Sequence, residues 1–485
     1  MRMRNIINFL LILISLFFIS CSEEDDNKID NTISSFHIST GEIYPKFDPE
    51  VQDYYITSLN TLNYIDITID NFDKHKIIYI NNNRVIDKTT SIKLNIGEDI
   101  IIKSFDDNNV LKTYTVHYLP ADMPKTNVIT KSNPANGYIL INLFELSSTP
   151  SPYNYLVILD NDGFPVYYKR TLNQVINFKY FETVDHKKRF SYNDNTLGKV
   201  MVMNEKFETI NELQLLPYYN HSYIRTDNHD FLYFDDNHYI LPSYVYRSGV
   251  DMTAYGGSSS VELVDFVFQE ILNNQVVFEW NSADYPEFLQ FTDPIYYNQY
   301  ATNSRVDYFH FNSINIDPND NNFIVSARHL NQIIKINRTN GQIIWRFGGS
   351  NDDFNLTGNK VISHPHHATI LNNGNLLLFD NGVTKSPKQT RVVEFDIDET
   401  SHSAQIFNEY SDTGRYFDIM GSVQKLDNTN YFIGWGGNIT SQSNANKSDI
   451  TEITQTGNIV LDISFSNNPN SFTYSYRALK YNISF

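Results

Sequence analysis

A chain of 485 residues with one cysteine, 33 tyrosines, 33 phenylalanines and a formal charge of −19 is long enough to bury two hydrophobic cores. A single cysteine excludes a disulfide within the chain. The 56 acidic against 37 basic residues argue against nucleic acid as a partner, because phosphate neutralisation needs a basic surface. β-Branched and aromatic residues are plentiful and no long stretch keeps a helical period, so the expected fold class is all-β.

Arg2 and Arg4 precede an apolar run from Ile6 to Ile19, then Ser20 and Cys21. This is the layout of a signal peptide over residues 1–21, too short and wrongly flanked for a spanning helix. A small residue before the sole cysteine fits a lipobox. Cys21 is then the expected lipidation site, and the expected location is the bacterial cell envelope, lipid-anchored at the outer membrane and facing the periplasm or the surface. Residues 22–32 read as an acidic tether with nothing to bury. Acidic residues after such a cysteine resemble the surface-export signals of Bacteroidetes lipoproteins. Without Arg2 and Arg4 the formal charge falls to −21.

Residues 33–119 alternate apolar and polar positions between Asn/Asp/Gly turns, as in "YYITSLNTLNYIDITI" and "SIKLNIGEDIIIKSF", which predicts a small β-sandwich. The stretches "ISSFHISTGEIYPKFDPEVQDYYI" and "KTYTVHY" resemble the cadherin-like sandwich domain of bacterial surface proteins. "PADMPK" follows as a linker.

From about Asn136, within an expected propeller domain of residues 126–485, the text repeats. Anchors for innermost strands fall at "NGYILINLF" (136), "FKYFETVDHKKRFSY" (178), "HSYIRTDNHDFLYF" (221), "HFNSINIDPNDNNFIVSAR" (310), "HHATILNNGNLLLFDNG" (366) and "GSVQKLDNTNYFIGWGG" (421). Third strands ("QIIKIN", "RVVEFDID", "DITEIT") and outer strands ("NDGFPVYYK", "NNQVVFEW", "NGQIIWRFGG", "TGNIVLDISF") follow. Four strands in each of six units predict a six-bladed β-propeller, with a long insertion between 221 and 310.

In that alignment His221, His310 and His366 each start an innermost strand, so they are expected to meet at one channel mouth. In "HPHHATIL" neighbouring strand residues face opposite ways. His366 is expected to point inward, provided a bulge opens the strand, with His367 to the side and His364 in the preceding loop. His364 and His366 share a zinc-like spacing, but Pro365 separates them and no acidic residue or cysteine follows at ligand distance. No metal and no cofactor are expected. Arg328, His329 and Lys385 would put cations beside these imidazoles, which suits sulfate, carboxylate or phosphate. The alternative for Arg328 is an ion pair between blades.

The runs "DYFHFNSI", "FIVSARHLNQIIKIN", "GQIIWRFGGSNDDF", "HHATILNNGNLLLFDNG", "TRVVEFDID", "GSVQKLDNTNYFIGWGG" and "SYRALKY" resemble, in order, the bacterial arylsulfotransferases. That resemblance implies a six-bladed propeller that moves a sulfuryl group from a phenolic sulfate ester to a phenolic acceptor, without a nucleotide donor and through a histidine. It implies catalytic roles for His310, His366 and Arg328, and beside them Lys385, His367, His221, His329 and Asn312 are the expected substrate-binding residues. Two departures stand out. The arginine that follows "FDNG" in the family is replaced by Lys385 as the nearest cation. The sulfuryl-accepting histidine of a later blade has no counterpart, since no histidine follows His402. A non-catalytic propeller binding an anionic or aromatic ligand, such as a sulfated glycan, is the alternative function, and a metal-dependent hydrolase or lyase a third. A homodimer stays open as a further expectation. On this reading His366→Ala is expected to cost ~3–4 kcal/mol of transition-state stabilisation, and His364→Ala far less.

Overall fold

The computed structural model describes residues 31–39, 43–44, 46–56, 64–73, 76–93, 99–118, 123–145, 154–217, 224–296, 305–412, 416–437, 449–465 and 473–483. The signal segment, Cys21 and nearly all of the tether lie outside them. No described helix is long and apolar enough to cross a membrane. The chain divides into two units, 1–123 and 124–485.

In the first unit, strands such as Tyr64–Ile69 and Asp99–Phe105 bury every second residue, as the period-two pattern requires. Ile65, Ile67, Ile100, Ile102, Tyr114 and Val116 form its core. Among the described residues the unit consists of one three-stranded and one six-stranded sheet.

The second unit is a β-propeller. Among the described residues it holds six sheets of four or five strands each, taken up in chain order. The inner edges are Val175–Glu182, Leu232–Asp235, Phe311–Ile316, Pro365–Ile370, Ser422–Lys425 and Ala478–Tyr481. Neighbouring inner strands touch around the axis, and at the junction of Leu232–Asp235 with Phe311–Ile316 the Ile314 amide donates to Asp230. Interior strands such as Gln332–Ile336 and Leu376–Asp380 are buried along their whole length, because each sheet is covered on both faces by its neighbours. The third and outer strands fall where the repeats placed them.

One anchor needs correction. The strand Tyr138–Glu145 is second in its sheet, not innermost, because Ala478–Tyr481 pairs along its inner side. Alternation identifies a strand but is silent about which long-range partner takes its edge. Thr126–Lys131 joins the outer edge of the sheet that ends at Phe465, so both ends of the unit help to seal the ring.

Three inner strands slip register at their first residues: at 177–178, at Asn312 and at His366. Each slip is a bulge that adds a side chain at the channel. Beneath them lies a buried charge cluster joining four sheets. The Asp230 carboxylate accepts from Lys179, from Arg477 Nη1 at 2.9 Å and from the Ile314 amide at 3.0 Å. Among the described residues the long insertion carries the extended strands His238–Val250 and Val261–Leu272 and four one-turn helices, the last ending at Tyr296. That last turn is fastened to the mouth where the Asp293 amide donates to the His329 carbonyl at 2.7 Å and Asn331 Nδ2 donates to Asp293 at 2.5 Å.

Candidate active site

His310 and His364 stand at matching places, each immediately before an inner strand and each in the left-handed backbone region, with φ of 51° and 57°. Residues other than glycine rarely adopt that conformation, and it recurs at functional sites. His366 lies two residues further in, level with Asn312, both at bulges. The structural counterpart of His310 is therefore His364, where sequence alignment had chosen His366. His221 lies outside the described residues. The histidine of its blade that reaches the mouth is His229, eight positions later.

His229 and His310 have the same construction. His310 Nδ1 is 2.6 Å from Asp307 Oδ2, and the His310 amide donates to Asp307 Oδ1. His229 Nδ1 is 2.8 Å from Asp227 Oδ1, which also accepts the His229 amide. Carboxylates only accept, so Nδ1 carries the proton in both rings. Among the described residues neither Nε2 has a hydrogen-bond partner, and both side chains are about one quarter to one fifth exposed. The rings meet edge to face, 5.2 Å between centroids.

Their acidities are driven apart. Burial and the charges of His229 and Arg328 hold His310 well below the usual imidazole value of 6.5. His229 is raised above it: burial opposes protonation, but the Asp227 and Asp307 carboxylates outweigh that cost. A pair of similar groups pushed in opposite directions is a ready acid and base.

His329 stacks on His310 at 4.3 Å, and Tyr296 stacks on His329 at 3.7 Å. His329 Nδ1 donates to the Asp307 carbonyl at 2.7 Å, and its Nε2 accepts from Arg328 Nη1 at 3.0 Å. Arg328 Nη1 also donates to the Tyr296 hydroxyl at 2.7 Å, which faces His364 Nε2 at 2.9 Å, and Nη2 donates to the Asp418 carbonyl. Among the described residues Arg328 makes no ion pair, and its buried Nε has no partner. In a chain with 56 acidic groups, a guanidinium turned only to neutral acceptors is prepared for an anion from outside. The ion-pair alternative for Arg328 does not describe this arrangement.

The remaining expected residues are placed as follows. His366 is buried, with Nδ1 2.5 Å from Asn381 Oδ1 and Nε2 accepting the Met420 amide at 2.9 Å. That amide sits in a tight turn where a Cβ on Gly421 would come within 2.2 Å of the Phe379 ring. His367 turns sideways, Nδ1 to the Val423 carbonyl at 2.8 Å. His364 is fully buried. Asn312 donates to the Pro365 carbonyl at 3.1 Å. Lys385 is tied to the buried Asp380 at 2.5 Å, a carboxylate it shares with Arg391. Sequence reading missed His229, Asp227, Asp307 and Tyr296. The visible signal was the repeated pairing of an Asp with a His two or three residues later, just before an inner strand. Tyr296 left no signal, because an insertion has no repeat to compare with.

Asp307, His310 and His329 offer one donor atom each, all within 4.8 Å of one another. Arg328 is in hydrogen-bond contact with His329 Nε2, so a cation there would face a fixed guanidinium. The same charge favours a sulfate-like anion.

Among solved structures, a protein of unknown function from Bacteroides caccae is 12% identical, with 71% of this chain and 99% of that one covered and a TM-score of 0.43. Virginiamycin B lyase from Staphylococcus aureus is 12% identical, covering 73% and 99%, at 0.35. The Cps50 (Swd1) β-propeller domain from Myceliophteria thermophila is 9% identical, covering 71% and 90%, at 0.36. At such scores these likenesses do not bear on the chemistry. No curated protein matches the chain. The profile of Arylsulfotransferase (ASST), in contrast, matches residues 125–477. The chain thus belongs to the arylsulfotransferase family, and its general chemistry is of the arylsulfotransferase type.

Proposed function

We infer that the protein transfers a sulfuryl group from a phenolic sulfate ester to a phenolic acceptor through a sulfated histidine, with no nucleotide donor. Arg328, without an ion pair among the described residues and beside two carboxylate-held imidazoles, is the observation that carries this reading. Arg328 binds the sulfate oxygens and stabilises charge that builds on them. The lone pair of neutral His310 Nε2 attacks sulfur while Asp307 holds the Nδ1 proton. As the N–S bond forms, the S–O bond breaks with its electrons on the phenolic oxygen, which takes the proton from His229 Nε2. In the return step neutral His229 removes the acceptor phenol's proton, the phenolate oxygen bonds to sulfur, and the N–S electrons go back to His310. His366 can attack only after the Met420 amide releases its Nε2.

Transfer from 4-nitrophenyl sulfate to phenol by the purified protein tests the reading. A propeller that only binds its ligand would release no nitrophenol. The proton inventory also predicts a bell-shaped kcat/KM. His310, lowered, takes a proton only on the acid side, below 6.5, and His229, raised, loses its proton only on the alkaline side, above 6.5. Activity is retained between the two limbs. His229→Gln is expected to lower the plateau by about 10²-fold and to abolish the alkaline limb. A wild-type profile with no alkaline limb would remove His229 from the acid role.

We further propose that Cys21 is lipidated and holds the protein at the cell envelope, on the strength of the signal-like segment that precedes it. Cys21→Ser is expected to yield a soluble or unprocessed form. A processed variant that still partitions with membranes argues against the anchor.

A further inference from the structure

A cleft of about 400 Å³ opens beside the His229–Asp227 pair, lined by Asn195, Arg225, Asn228, Ser243, Tyr244 and Tyr246 among others. Two of its walls are shared with the site. Asp227 is both a lining residue and the acceptor of His229 Nδ1, and the Tyr244 hydroxyl accepts the Phe311 amide, next to His310, at 3.0 Å. The mechanism requires room for one aromatic ring at the histidines, and it makes no use of this second space. Its volume falls in the range that takes a whole small-molecule substituent.

The lining also indicates what would fill it. Among the described lining residues Arg225 and Asp227 are the only charged ones and have opposite sign, so an occupant without net charge fits them. The half-buried Asn195 and Asn228 amides supply short-range hydrogen bonding, since the Ser243 hydroxyl already donates to the Arg225 carbonyl and the Tyr244 hydroxyl is bound to Phe311. Tyr246 is 48% exposed, and the Arg305 guanidinium lies 4.4 Å from its ring centroid, which helps to hold the aromatic surface in place. A tyrosine face beside a set of short polar groups packs against the C–H face of a sugar while the hydroxyls are hydrogen-bonded.

We propose that this cleft is a substrate subsite for a neutral, hydroxyl-rich substituent, so that the preferred acceptor is a phenol bearing a glycosyl group and not a simple phenol. The proposal rests on the sulfuryl-transfer reading of the neighbouring histidines. Uniform binding of the remote group raises kcat/KM by adding contacts away from the reacting oxygen.

The test compares phenol with 4-hydroxyphenyl β-glucoside as acceptors from 4-nitrophenyl sulfate, in wild type, Tyr246→Ala and Tyr246→Trp. Wild type is expected to favour the glucoside by about 10-fold in kcat/KM. Tyr246→Ala should erase that preference and leave phenol unchanged, and Tyr246→Trp should keep it. Equal use of the two acceptors by wild type, a preference that survives Tyr246→Ala, or an equal loss with both acceptors overturns the subsite. If neither acceptor is sulfated, it is the transfer reading that fails. Calorimetric binding of the glucoside then decides the cleft: uptake by wild type that is lost in Tyr246→Ala supports it, and no uptake overturns it.

Discussion

His310→Ala is expected to lower kcat/KM for a chromogenic phenyl sulfate by about 10³-fold, on the order of 4 kcal/mol of transition-state stabilisation. The substitution removes the one imidazole that combines a neutral Nε2, a carboxylate at Nδ1 and contact with the arginine-bearing stack. Asp307→Asn keeps the side-chain shape but replaces one of two accepting oxygens with a donor, and is expected to cost as much or more, about 10³–10⁴-fold. His366→Ala is expected to lose only about 10-fold, through loosening of the turn at Met420 that also positions the Asp418 carbonyl on Arg328. Rapid quenching with a radiolabelled donor, followed by peptide mapping, identifies the histidine that carries the sulfuryl group. A label on His366, with the larger kinetic loss there, would reverse the two roles.

The second large effect concerns stability. Asp230→Ala is expected to destabilise the propeller by about 3–5 kcal/mol, because it leaves Lys179 and Arg477 buried without their common counter-ion. Asp230, Lys179 and Arg477 have side chains only 1%, 8% and 1% exposed. Against a total stability of roughly 5–15 kcal/mol, that loss should appear as a fall in Tm on the order of 10 °C. An unchanged Tm would show that the cluster is not the fastening described here. The cluster also has an acid limit. Burial opposes ionisation of Asp230, yet Arg477 and Lys179 hold its carboxyl below the usual carboxylate range. Its stabilisation is therefore fully present above the ordinary aspartate value of 3.8 and disappears as the pH falls through the lower folded value.

The strands were readable because their signal is local. "QIIKIN", "RVVEFDID" and "DITEIT" are short β-branched runs that a sheet buried on both faces demands, and Gln332–Ile336, Arg391–Asp398 and Ile450–Ile453 occupy those places. Edge order was not readable, since the inner neighbour of Tyr138–Glu145 comes from Ala478–Tyr481 and no local pattern encodes that pairing. The need for a bulge at His366 followed from the two-residue period of a strand, and the register slips there. The matching of His310 with His364 did not follow, because a left-handed backbone at a histidine leaves no periodic trace. Lys385 looked like a free cation in "FDNG" and its sequel. Its partner Asp380 lies within that same motif, and only the fold brings the ammonium onto it.

The closing strand also has a consequence for biosynthesis. A ribosome delivers His229, His310 and Arg328 well before Arg477 and Ala478–Tyr481. Until those last residues arrive, Asp230 lacks one of its two cations and the first sheet lacks its inner edge. A chain truncated before Arg477 therefore keeps the contacts among His229, His310 and His329, but on a ring left open at the first sheet. Loss of the last residues is therefore expected to cost the closure of the ring before it costs the contacts among the imidazoles.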